Sequence, residues 1–69
     1  METLAKKPDY ADLPYEVVVV ERNAAGAIVH VEVCSRHTLL SEALRRVRNQ
    51  DASIPEHNRE RYRAELVQP

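Results

Sequence analysis

The sequence predicts a small α+β domain in which a β-hairpin is followed by two helices. Three observations carry this reading. Two β-branched stretches flank Asn23-Ala24-Ala25-Gly26, apolar residues recur at helical spacing after Thr38, and Ser53-Ile54-Pro55-Glu56 has the residue order of a helix start. A chain of 69 residues has room for one domain, here 1–69, with residues 1–14 as an N-terminal arm.

The first strand is expected over 15–22. Val17 to Val20 are β-branched in succession, which suits a pleated strand, and the run is too short for a helix. Asn23 fits the first turn position, and Gly26 fits the left-handed one that closes such a loop. The second strand, 27–34, alternates: Val29, Val31 and Val33 point one way, and Ile28, His30, Glu32 and Cys34 the other. The first strand is apolar on both faces, since Val17 and Val19 oppose Val18 and Val20. A helix covers only one face of a two-stranded sheet, so the other valine pair calls for the arm or a second chain. Open hairpin edges invite strand pairing as well, and a homodimer is expected, through strand edges or helices.

The first helix is expected over 38–50, with Thr38 as N-cap. Leu40, Ala43, Leu44 and Val47 then share a face, and Glu42 stands one turn before Arg46. The second is expected over 54–67, with Ser53 as N-cap, Pro55 in the first turn and Glu56 at the third helical position. Its apolar residues are few, and Glu56–Arg59 and Glu60–Arg63 are its expected ion pairs. The core so predicted is Val17, Val19, Val29, Val31, Val33, Leu40, Leu44 and Val47, and a one-residue shift of the first strand would exchange its two valine pairs. In the arm, Pro8 opens an expected helical turn, and Tyr10, Leu13 and Tyr15 are available to pack it down or to anchor a partner.

Eight of the hydrophobic residues are Ala, and the chain has neither Phe nor Trp. So small a core supplies only about 3–5 kcal/mol, and the usual remedies are a disulfide, a metal or association. One Cys makes no internal disulfide. The longest run of large apolar residues is the four-valine stretch, far short of the ~20 needed to cross a bilayer. The N-terminus lacks the apolar segment of a secretory signal, and a lone Cys suits a reducing compartment. A cytoplasmic protein is expected, with no membrane partner.

Chemistry finds little purchase. His30 and Cys34 share a strand face but stand ~13 Å apart, too far for one ion, and His37 adds at most a second ligand, so no metal is expected. Ser35 or Cys34 beside His37 resembles a nucleophile and base only by proximity. The single Gly belongs to the hairpin, which leaves no Gly-rich phosphate loop. No enzyme and no cofactor are expected.

Charge is uneven along the chain. Residues 1–35 carry three basic and six acidic residues; residues 36–69 carry seven basic, all Arg, and five acidic. Arg and Tyr dominate binding hot spots, and Tyr10, Arg45, Arg48, Arg59, Tyr62 and Arg63 are the candidate partner contacts. The expectation is a non-enzymatic, protein-binding regulator, an inhibitor or adaptor that occludes a host or cognate protein. In size and lack of motifs it is similar to phage-encoded inhibitors and anti-activators of transcription factors. Acidic Asp9, Asp12, Glu16 and Glu21 are candidates to stand where phosphates would. The alternative is a nucleic-acid-binding regulator using the Arg-bearing C-terminal helices; a net charge of −1 weighs against it.

Overall fold

The computed structural model describes residues 12–69. In chain order it comprises β1 (Tyr15–Arg22), β2 (Ile28–His37), α1 (Leu40–Ala52), a 3-10 turn (Glu56–Asn58) and β3 (Tyr62–Val67). The strands form one antiparallel sheet in the order β2-β1-β3. The α+β class and the hairpin stand as predicted from sequence. The expected turn in the arm, with Tyr10, falls mostly outside the described residues.

The second helix is corrected. Residues expected as helix over 54–67 form the 3-10 turn and then β3. Pro55 is extended, with ψ 146°, and so does not open a helix. Tyr62, Ala64 and Leu66 alternate with Arg63 and Glu65, a period of two. The hairpin leaves one edge of β1 unpaired, and β3 fills it, satisfying the backbone groups of both strands. A helix with so few apolar residues had less to offer than that edge.

The loop between β1 and β2 forms for local reasons. Asn23 Oδ1 accepts from Ala25 N–H at 2.9 Å and Ala27 N–H at 3.0 Å, while Gly26 N–H donates to Asn23 O at 2.9 Å. Gly26 has φ +87°, a conformation that glycine reaches without a side-chain penalty.

Two irregularities then govern β2. Its register against β1 shifts between Val17 and Val18, passing over Cys34, and again between Glu21 and Arg22, passing over Val29. β1 against β3 is continuous, so β1 alternates regularly. Val33 and Val31 therefore lie opposite Val18 and Val20, while Ser35 and His37 lie opposite Val17 and Tyr15. A bulge reverses which residues point to which face. The expected grouping of Val17 and Val19 with Val31 and Val33 is thereby overturned.

β2 and β3 run parallel with β1 between them, so α1 is a crossover connection. Arg22 N–H donates to Arg61 O, which turns the even-numbered backbone groups of β1 toward β3. The right-handed sense of such crossovers then lays α1 on the face of Val17, Ala64 and Leu66. The side chains agree: His37, on that face, approaches Glu42 of α1, and Ala43 and Val17 are fully buried.

The buried residues are Val17, Val18, Val20, Ala43 and Ala64. Of the predicted core, Val29, Val31 and Val33 are exposed, as are Leu40 (39%) and Leu44 (45%). The helix is rotated so that Ala43 and half-buried Val47 face inward, leaving Leu40 and Leu44 on its flank. A small residue at the contact lets helix and sheet approach closely. The N-cap position is Leu39, whose side chain has no acceptor to cap the helix, and Thr38 Oγ1, one residue earlier, donates to Asp12 O at 3.1 Å.

Val17→Ala is expected to cost about 1.5–3 kcal/mol in urea denaturation, and Leu44→Ala to stay within about 1 kcal/mol. Equal losses would overturn this assignment of the core.

Candidate functional site

Five of the six candidate contacts lie among the described residues. Tyr10 lies outside the described residues. Arg45 and Arg48 lie on the exposed side of α1. Tyr62 is half-buried at the start of β3. Arg59 and Arg63 are drawn away to a carboxylate that the sequence reading passed over, Asp51.

Asp51 is in the last turn of α1, and its side chain is 17% exposed. Arg63 grips it as a fork, with Nε 3.0 Å from Oδ1 and Nη2 3.1 Å from Oδ2. Ala64 N–H donates to Oδ1 at 3.1 Å. Arg59 donates to Oδ2 and, through Nη1, to the Asp51 main-chain oxygen at 2.7 Å. The Arg63 hydrogen bonds, the Ala64 N–H and Arg59 hold the Asp51 carboxyl far below the usual carboxylate range, against burial, which raises it. The same pairing raises Arg63. Two arginines expected to touch a partner thus hold a helix to a strand. The expected pairs Glu56–Arg59 and Glu60–Arg63 give way because both arginines reach one shielded carboxylate.

Other charges are matched across the sheet. Arg36 Nε donates to Glu16 at 3.0 Å, Arg22 Nη1 donates to Glu65 at 2.8 Å, and Arg61 lies 3.8 Å from Glu21. Of the expected acidic surface, Glu16 and Glu21 are therefore engaged. Asp12 is exposed, and Asp9 lies outside the described residues.

Arg45, Arg46 and Arg48 differ. All three are exposed on α1, and they make no hydrogen bond or ion pair among the described residues. Glu42, expected to pair with Arg46, lies instead 4.0 Å from the His37 ring. Leu40, Leu44 and Arg48 stand four residues apart and so line one side of α1. This mixed apolar and cationic stripe is the candidate site. Its leucines escaped the sequence reading because helical spacing alone does not say which side of a wide stripe meets the sheet.

Ser35 Oγ is hydrogen-bonded to His37 Nε2 at 2.8 Å, and His37 Nδ1 faces Glu42 Oε1 at 4.0 Å. The order is that of nucleophile, base and acid, but the second contact is beyond hydrogen-bond length. A cleft of 280 Å³ is lined by Arg22, Asn23, Ala24, Glu60 and Arg61, at the opposite end of β1. It is roughly 17 Å along the strand from the residue facing Ser35. No group of three His, Cys, Asp or Glu able to hold a metal occurs among the described residues. No helix there is long and apolar enough to cross a membrane.

The chain matches no protein-family model, and neither the curated proteins nor the solved structures include a similar one.

Asp51→Asn is expected to cost about 1–3 kcal/mol of stability at pH 7. The folded pKa of Asp51 lies below its unfolded value of about 3.9, so its contribution is complete above that value and fades as pH falls below it. The stability gap between the two proteins should therefore narrow on acidification, as followed by urea denaturation; a gap constant down to about pH 2 would contradict the assignment.

Proposed function

We propose that the protein is a small non-enzymatic regulator that binds another protein through α1 and acts by occluding that partner's surface. The observation that carries this reading is the set of arginines without partners among the described residues. Arg22, Arg36, Arg59, Arg61 and Arg63 each face an acid, whereas Arg45, Arg46 and Arg48 face solvent. Beside them lie Leu40 and Leu44, 39% and 45% exposed. A helix with apolar residues one turn apart and a cationic border fits a groove with an acidic rim. The leucines favour a protein over a nucleic acid, because phosphates reward cations and give nothing to apolar side chains. A phage-encoded inhibitor or an anti-activator of a transcription factor is the kind of regulator such a surface would serve.

The test is affinity capture from the source cell's lysate, with nuclease present, comparing wild type with Arg45→Glu/Arg48→Glu. One protein retained near stoichiometry by wild type and lost by the variant, with unchanged circular dichroism, is the expected result. Equal retention by both would refute the α1 surface. Recovery of nucleic acid instead, with a steep fall in affinity as salt rises, would make the arginines phosphate contacts.

A further inference from the structure

We propose that the outer edge of β2, unpaired among the described residues, is a self-association surface, occupied by the same edge of a second copy of this chain. The two strands run antiparallel about a two-fold axis at Val31. This goes beyond the reading of α1 and does not depend on it.

The two edges of the sheet differ. On β3, the outward Ala64 N–H is already taken by Asp51. On β2, every residue from 28 to 33 is exposed, including Ile28, Val29, Val31 and Val33 at 54%, 55%, 49% and 41%. The strand contains neither Pro nor Lys, two common guards of an edge.

Backbone direction identifies the groups on offer. Even-numbered β1 residues turn to β3, as Arg22 N–H shows, so Val19 and Glu21 turn to β2. Their register partners Glu32 and His30 bond inward, which leaves Val31 and Val33 with N–H and C=O directed outward. The bulges at Val29 and Cys34 bracket this regular stretch.

Side-chain complementarity selects the register, since an imidazole N–H can donate to a carboxylate and two carboxylates repel. With the two-fold axis at Val31, that residue faces its copy as a hydrogen-bonded pair. Each His30 then lies opposite Glu32 of the second copy, at the closer, non-hydrogen-bonded spacing. His30 Nε2 already lies 3.7 Å from Glu32 Oε1 within one chain, and the side chains are 61% and 75% exposed. The dimer closes them into an alternating ring of four. Shifting the axis to Glu32 would set carboxylate against carboxylate, and shifting it to His30 would set imidazole against imidazole. The result joins two three-stranded sheets into one of six, and the isologous contact ends growth at two copies.

Sedimentation equilibrium of the full chain tests this with four proteins: wild type, Val31→Lys, His30→Glu, and the exchange His30→Glu/Glu32→His. Wild type is expected at twice the 7.9 kDa chain mass. Val31→Lys should be monomeric with its circular dichroism retained. His30→Glu sets like charges together twice and should weaken the dimer on the order of tenfold, and the exchange should restore it, because the pairing is reciprocal. If Val31→Lys fails to fold, the two variants at exposed positions 30 and 32 decide the matter. A wild type that stays monomeric at all concentrations, a dimer untouched by His30→Glu, or an exchange no tighter than His30→Glu would each overturn the proposal.

Discussion

One carboxylate sets the relation of helix to sheet. Asp51 ends α1 and accepts from the backbone of β3 while Arg59 and Arg63 close on it from the following segment. Its bond from Ala64 N–H ties the helix end to the sheet edge through one short side chain. That tether settles which side of α1 meets the sheet. Ala43 and Val47 turn inward, and Leu40 and Leu44 are left on the flank. It also takes up an outward group of β3, and among the described residues β2 has no such cover.

The same carboxylate divides the arginines. Those after α1 converge on Asp51 or on acids of the sheet, and they serve the fold. Those within α1 point away from the sheet and find no acid among the described residues. Buried area in so small a domain is scarce, and pairing long side chains across strand edges extends the contacts where apolar residues run out. The arginines left over are then available for another molecule, with Leu40 and Leu44 beside them.

The bulges in β2 have a comparable reach. By passing over Cys34, the strand brings Ser35 and His37 to the helix-bearing face, while Val31 and Val33 stay opposite Val20 and Val18. Hence the valines that look most like a core stripe in sequence lie exposed on an edge strand. Their alternation is real; its orientation relative to the helix changes at the bulge.

The hairpin, its Asn-Ala-Ala-Gly loop and α1 were legible in the sequence by itself. Each rests on interactions within a few residues: the Asn23 side chain on its own loop, Gly26 at positive φ, and a helical repeat over 40–52. The candidate site was legible only in part, as Arg45 and Arg48. Only the tertiary structure decided that 62–67 is a strand, that Arg59 and Arg63 reach Asp51, and which valines are buried. The Ser-Ile-Pro-Glu start signal and the period-two alternation of Tyr62 to Leu66 compete locally with similar strength. The balance was tipped by an unpaired edge of β1, about forty to fifty residues away in sequence, whose backbone groups needed a partner.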